Sequence, residues 1–199
     1  MFPAHKLKAT GGEIYAHIFE NSLVGLPRNL FWSITLEFEP IRYEREDWEC
    51  SMTCEWIPWR IRDWRGLHNL ELKVEPDDQL IESSFYLVEH DRGKETDLLV
   101  ERHEGNLFKV RMSMIVDFTG FTGKDKNPEM FVTGETTVPF KGVFVTPENL
   151  FPKPMTVAEV KDIAKDYIEL SAYQEPYKEK HRFILEPLIW RGDVRNAAI

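Results

Sequence analysis

Apolar and polar residues alternate with a period of two along much of the chain. The clearest case lies between residues 48 and 56, where every second residue is apolar: Trp48, Cys50, Met52, Cys54 and Trp56. Segments 31–38 and 107–118 alternate in the same way. Because successive side chains of a strand point to opposite faces, this pattern predicts strands with one face in a core and the other in solvent.

Seven shorter segments also have the composition of strands, and turn residues such as Gly, Pro, Asn and Asp separate many of them. They cover residues 14–19, 59–64, 69–75, 83–90, 97–102, 131–140 and 183–190. The short turns favour consecutive hairpins. We therefore predict a mainly β (α+β) fold, an antiparallel meander of about eight to ten strands that forms a sandwich or a partly closed barrel.

One amphipathic helix is predicted near the carboxyl end, after a stretch that ends at Pro154. Thr156 and Glu159 have the spacing of a capping box, which marks the start of a helix. Apolar residues then recur with helical spacing from about 157 to 171. This helix is expected to pack on the sheet.

The length of 199 residues suits a single domain, 1–199. We assign residues 12–146 to a β-rich body, 147–155 to a joint, 156–172 to the helix and 173–199 to a carboxyl-terminal strand and tail. This order of many strands, then a helix, then a strand resembles the layout of the lipocalin-like barrels. The Gly-x-Trp signature of that family is absent, since Leu30 precedes Phe31-Trp32.

The chain is acidic, with a formal net charge of -9 from 34 acidic and 25 basic residues. Such a charge repels nucleic-acid phosphates and anionic lipid and favours basic partners. The amino terminus lacks the apolar run of a signal peptide, and no stretch approaches the ~20 apolar residues that span a bilayer. Two cysteines do not indicate a disulfide-bonded secreted scaffold. We predict a cytoplasmic protein with no nucleic-acid or membrane partner.

Neither the cysteines nor the histidines have the spacing of a metal site. Cys50 and Cys54 are four residues apart on one predicted strand, roughly 13 Å, which is too far for one metal ion. They are expected to be buried small hydrophobes. Nucleophile, phosphate-loop and dinucleotide motifs are absent. We predict no metal, no cofactor and no enzymatic activity; a weaker alternative is catalysis by His90 or His103, which could approach each other across a predicted hairpin.

Two kinds of segment are predicted to bind a partner. Acidic residues concentrate between Glu37 and Glu49 and again between Glu71 and Glu82. Residues 59–64 mix Trp and Arg, which are typical of binding hot spots. We predict that a basic protein binds at Glu44, Glu46, Asp47, Trp59, Arg60, Arg62 and Trp64. The protein would then be a non-enzymatic binding module that masks a basic partner, as immunity proteins or antitoxins mask toxins.

The alternative function is a carrier of a small apolar ligand, or an enzyme, with a pocket inside a lipocalin-like barrel. The lining of that pocket would be aromatic and rich in methionine: Trp32, Trp48, Met52, Trp56, Met112 and Met114. The same residues would fill a dry core equally well. The pattern alone therefore leaves a pocket and a packed core as two open interpretations.

Overall fold

The structure is a computed structural model that describes residues 7–43, 45–87, 89–117 and 129–189. Its strands are β1 (Ala9–Asn21), β2 (Leu26–Phe38), β3 (Ile41–Tyr43), β4 (Glu46–Trp48), β5 (Ser51–Ile57), β6 (Leu70–Val74), β7 (Glu82–Leu87), β8 (Glu89–Glu104), β9 (Leu107–Val116), β10 (Met130–Val145), β11 (Tyr177–Glu179) and β12 (Arg182–Leu185). The α-helix of the described residues is α1 (Val157–Ala164). Strands make up 58% of the described residues, so the predicted mainly β fold with one helix is confirmed.

Seven strands close into a barrel in the order β1-β2-β5-β7-β8-β9-β10. Neighbouring strands in this order are antiparallel, whereas the pair that closes the barrel, β1 with β10, is parallel. An odd number of alternating strands requires this, because the first and the last then run in the same direction. The barrel is thus fully closed, and its sheet is mixed at one seam.

The remaining strands add to the barrel without entering its wall order. β8 is long enough to pair along one edge with β7 at its start and with β6 further on. β12 and β11 extend the sheet from the end of β10, and β3 and β4 form a separate two-stranded hairpin. The predicted strands 83–90 and 97–102 correspond to β7 and β8, but the turn predicted at 91–94 is corrected, because residues 89–104 are one continuous strand.

Inward-facing apolar side chains fill the barrel, and the segment between β5 and β6 contributes to this core. Trp64 is 0% exposed and lies against Phe108 and Phe140, with ring centroids 6.3 and 6.2 Å away. Its indole N–H donates to the carbonyl oxygen of Ala172 at 2.9 Å. Residues 59–64 were predicted to be a strand, but they form an irregular segment that ends in a 3-10 turn at Trp64–Gly66.

Helix α1 begins as predicted and ends earlier than predicted. Thr156 accepts from the backbone N–H of Glu159, and the Glu159 carboxylate accepts from the backbone N–H of Thr156, which completes the capping box. The helix stops at Ala164 rather than near residue 171 because the Arg62 guanidinium binds the carbonyl oxygens that follow it, those of Lys165, Asp166 and Ile168. No helix in the described ranges is long and apolar enough to cross a membrane.

Both cysteines lie in the core, as predicted, and neither forms a disulfide. Burial raises the pKa of Cys50 to about 11 and that of Cys54 to about 12. A thiol with so high a pKa is almost entirely protonated near neutral pH and reacts poorly as a nucleophile. The two residues therefore act as small apolar side chains.

Candidate functional site

A cleft on the outer face of the barrel is bordered by β5, β7, β8 and the loop between β6 and β7. Its volume is about 820 Å³, larger than two clefts of about 540 and 400 Å³ that lie along α1. We call it the acidic cleft, because its ionisable lining residues are Glu55, Asp77, Asp78, Glu82, His90 and Arg92. Across the described ranges, no three His, Cys, Asp or Glu side chains gather closely enough to hold a metal ion.

The four carboxylates of the acidic cleft form no ion pair within the described part of the chain. Many acidic residues elsewhere on the surface are paired. Glu135, for example, lies 2.8 Å from Lys109 Nζ and 2.6 Å from Arg111 Nη2. The arginine of the cleft, Arg92, donates to the backbone carbonyl of Asp78 at 2.9 Å. The cleft therefore concentrates negative charge.

Two of these acidic residues are direct partners in the sheet, since Glu55 of β5 pairs with Glu82 of β7. The Cβ atoms of directly opposed residues in an antiparallel pair are about 4.5–5.5 Å apart, and like charges there destabilise the sheet. The loop beside them is fixed by Asp78, whose Oδ1 accepts the backbone N–H groups of Leu80 and Ile81, each at 2.8 Å. A cation placed between Glu55 and Glu82 would relieve their repulsion.

The structure does not bring the two histidines of the catalytic alternative together. His90 and His103 are 13 residues apart along the single strand β8, a separation on the order of 40 Å. The Nδ1 of His90 lies 3.3 Å from Ser84 Oγ at the acidic cleft, but His90 is exposed. Asp91, the next residue, is buried. The side chain of His103 lies outside the described residues.

Beside the acidic cleft, aromatic side chains cover the outer face of β1, β2, β5 and β10. This outer aromatic cluster consists of Tyr15, His17, Phe19, Phe31, Trp56 and Phe144. The Trp56 ring centroid lies 4.9 Å from His17, 5.0 Å from Phe19 and 5.6 Å from Phe31. Phe31 is only 1% exposed although it does not belong to the barrel core, so the cluster buries apolar surface outside the barrel.

Trp56 reaches this outer face because of a β-bulge. Trp32 pairs with Ile57 and Ile34 pairs with Cys54, so two residues of β5 oppose the single residue Ser33. Trp56 has a φ of 61°, a left-handed conformation that is costly for a bulky side chain. Ile57 then takes the inward position that strict alternation would give to Trp56. The predicted placement of Trp56 on the inner face is thereby corrected.

Glu55 connects the acidic cleft with the outer aromatic cluster. It lines the cleft, and its Oε1 accepts the hydroxyl of Tyr15 at 3.2 Å. Ser33, opposite the bulge, is 0% exposed; its Oγ lies near the Tyr15 hydroxyl but makes no hydrogen bond of acceptable geometry. The Nδ1 of His17 is likewise buried without a hydrogen-bond partner. Charged, aromatic and unsatisfied polar groups thus meet at the bulge.

Protonation of His17 is expected to destabilise the protein as the pH falls. Burial lowers its pKa from the ordinary value of 6.5 to about 4, so below pH 6.5 the unfolded chain binds the proton before the folded one does. The contribution of neutral His17 to the free energy of unfolding is fully present above pH 6.5 and is lost as the pH falls toward 4. Allowing for partial exposure, the loss is roughly 2 kcal/mol. Urea unfolding at pH 7 and pH 4 should show a smaller pH dependence for His17→Phe than for wild type; an equal dependence would contradict this.

The acidic residues predicted to bind a partner lie away from the barrel wall. Glu46 and Asp47 are exposed on β4, and Glu44 lies outside the described residues. Asp47 is paired with Arg42 across the β3–β4 hairpin, at 3.1 Å. This surface remains available to a partner, but part of its charge is neutralised within the hairpin.

The Trp/Arg segment is mostly used to hold the fold together. Trp64 is buried and cannot contact a partner, which corrects its assignment to the binding surface. Arg62 binds the carbonyl oxygens beyond α1. The carbonyl oxygen of half-buried Trp59 accepts the indole N–H of Trp32 at 3.2 Å. Arg60 is exposed and stays a candidate contact.

The residues predicted to line an internal pocket separate into three groups. Trp32, Met52, Met112 and Met114 are buried in the core of the barrel. Trp48 is half-buried on β4 and packs against that core. Trp56 lies on the outer face. None of the six lines the acidic cleft or the two clefts along α1.

Sequence reasoning identified three of the acidic-cleft carboxylates, Asp77, Asp78 and Glu82, as part of an acidic segment, and it missed Glu55 and the outer aromatic cluster. Barrels host many unrelated functions, so the fold does not by itself imply one. A role must be inferred from the groups that meet at the cleft. Comparisons with protein-family models, with curated proteins and with solved structures found no match to this chain.

Proposed function

We propose that the protein is a non-enzymatic acidic module that binds and masks a basic protein, and that the acidic cleft is its binding site. The observation that carries the proposal is the direct opposition of Glu55 and Glu82 in a cleft whose carboxylates have no cationic partner among the described residues. Like charges held together at a cost to the sheet are a reason to expect a cation from outside.

Electrostatics supports a basic protein as the partner. The net charge of -9 attracts cations over a distance and accelerates their capture, and the cleft then gives them a defined position. A Lys or Arg side chain that binds a carboxylate forms a charge-assisted hydrogen bond worth about 1.5–3 kcal/mol. The masking of a toxin by an immunity protein or antitoxin is an interaction of this class. The proposal includes a cytoplasmic location, with which two free, buried cysteines are compatible.

Affinity capture with the full chain tests this function. The cleft variant E55Q/D77N/E82Q removes three negative charges and leaves Asp78, which fixes the loop, unchanged. The matched control E135Q/E175Q/E179Q removes three charges that are already paired with cations. Wild type and control should retain a basic protein from the native lysate at low salt and release it at high salt, because exposed charges are screened. The cleft variant should retain at least ~10-fold less.

Equal capture by the cleft variant and wild type would contradict the proposal. A third variant, E46Q/D47N, tests the hairpin surface that the sequence predicted. If capture is lost in this variant and preserved in the cleft variant, the partner binds at β4 and the acidic cleft is not the site. Circular dichroism of all variants ensures that the comparison is made between folded proteins.

A further inference from the structure

The acidic cleft and the outer aromatic cluster form one continuous surface. Glu55 and Trp56 are consecutive residues of the bulge, so their Cα atoms are about 3.8 Å apart. Glu55 lines the cleft, and Trp56 packs on Phe19 and Phe31 in the cluster. A ligand that neutralises Glu55 is therefore within reach of an aromatic face. A cation alone would contact the acidic cleft and leave the outer aromatic cluster without a contact.

The bulge places the ring of Trp56 on the outer face of the barrel instead of in the core. A regular strand would place Trp56 inside, whereas the observed φ of 61° turns it outward beside Glu55. Tryptophan is enriched among the few interface residues that dominate binding energy. Ser33 Oγ and His17 Nδ1, both buried at this place, lack hydrogen-bond partners among the described atoms. Buried polar groups are normally satisfied, so their presence is a second reason to expect a ligand near the bulge.

We infer that the partner binds through an extended basic segment in which a Lys or Arg is followed two residues later by an apolar side chain. The cation enters the acidic cleft between Glu55 and Glu82, and the apolar side chain packs on Trp56 and Phe19. Side chains two residues apart on an extended chain are separated by ~7 Å, which suits the adjacent cleft and ring. This inference rests on the proposed function and specifies which basic segments the site selects.

Three labelled decapeptides serve as probes for the full chain, with binding measured by fluorescence anisotropy at low salt. They are the Arg/Val peptide, Arg-Ser-Val-Ser-Arg-Ser-Val-Ser-Arg-Ser, the Arg/Ser peptide, with serine in place of each valine, and the Glu/Val peptide, with glutamate in place of each arginine. Arg and Val two residues apart lie on the same side of an extended chain, so the set separates charge from apolar contact. Wild type should bind the Arg/Val peptide at least ~10-fold more tightly than the Arg/Ser peptide and should not bind the Glu/Val peptide. The cleft variant E55Q/D77N/E82Q should weaken binding of both arginine peptides.

Trp56→Gly removes the ring and suits the left-handed φ, so the variant is expected to fold. It should bind the Arg/Val peptide about as weakly as wild type binds the Arg/Ser peptide, with little change for the Arg/Ser peptide itself. Phe19→Ser is a second variant with the same expected direction. Phe131→Ser is the matched control, because Phe131 is an exposed aromatic residue that is not part of the cluster.

The outcomes separate the inference from the proposed function. If both arginine peptides bind equally, depend on the cleft carboxylates and ignore Trp56 and Phe19, the apolar half of the surface is not used. That result would overturn the inference and keep the basic-partner function. If neither arginine peptide binds better than the Glu/Val peptide, both proposals fail.

Discussion

Replacing Trp64 by alanine is expected to lower the free energy of unfolding by about 4 kcal/mol, within the range measured for large aromatic residues in cores. The indole is fully buried against Phe108 and Phe140, and its N–H is bound to the carbonyl oxygen of Ala172. The variant therefore loses apolar contact and leaves a cavity, and the carbonyl oxygen of Ala172 keeps only its hydrogen bond from the Leu188 backbone N–H. Equilibrium unfolding in urea measures the change.

Trp59→Ala is the control for this prediction, because Trp59 is half-buried and only its backbone oxygen forms the hydrogen bond to Trp32. Trp59→Ala is expected to lower the free energy of unfolding by no more than about half as much as Trp64→Ala. Similar losses for both variants would show that Trp64 is not the core residue of this segment. The contrast also separates stability from binding: at temperatures where Trp64→Ala is folded, it should capture the basic partner as wild type does.

Replacing Gly12 by alanine is expected to lower the free energy of unfolding by at least ~3 kcal/mol. The methyl group has no space, and the backbone conformation of this residue is unfavourable for alanine. Gly12 has a φ of 136°, and an added Cβ would lie 2.0 Å from the carbonyl oxygen of Thr35 on the adjacent strand. That contact is with backbone of the barrel wall, which cannot move without breaking the β1–β2 pairing. Thermal and urea unfolding of the variant test the prediction.

Gly25 provides a matched control in the turn between the same two strands. It also has a positive φ, 74°, but an added Cβ would meet nothing within 4 Å. Gly25→Ala should therefore cost only the conformational strain, about 1 kcal/mol. If Gly12→Ala were as mild as Gly25→Ala, β1 and β2 could not approach as closely as the structure shows.

The alternation of apolar and polar residues was sufficient to predict most strands and the fold class. β9 follows the pattern closely, because one of its faces lies in the core and the other does not. In β2 the pattern of burial is interrupted at residues 30–34, where both faces are buried. The start of α1 was predictable from Thr156 and Glu159, since a capping box is a local interaction. Closure of the barrel was not predictable, because it depends on the pairing of β1 with β10, two strands far apart in the sequence.

Two local features misled the sequence interpretation. Residues 91–94 have the composition of a turn, yet they continue β8. An added Cβ on Gly93 would lie 2.7 Å from Ser83 Oγ, so this glycine provides close packing in the wall rather than a turn. The bulge at Trp56 could not be predicted, because apolar and polar residues alternate regularly up to that residue. The extra residue is apparent only from the pairing with β2.

The acidic cleft was partly visible in the sequence. Asp77, Asp78 and Glu82 are close along the chain and appeared as an acidic segment, whereas Glu55 joins them only through the pairing of β5 with β7. The Trp/Arg mixture at 59–64 is equally compatible with a binding surface and with a segment that packs into the barrel core. Only tertiary contacts distinguish Trp64, which fills the barrel, from Trp56, which lies on its outside.

The parallel seam between β1 and β10 determines when the barrel can be completed during synthesis. Ile14 pairs with Phe140, 126 residues later in the chain. At about 5–20 residues per second, the ribosome needs roughly 6 to 25 s to make the intervening chain. β1 can pair with β2 in that time, but its other edge has no strand partner and can bind other chains. Protection of the nascent protein against aggregation therefore depends on the arrival of its last barrel strand, and truncations before β10 should be less soluble than truncations after β12.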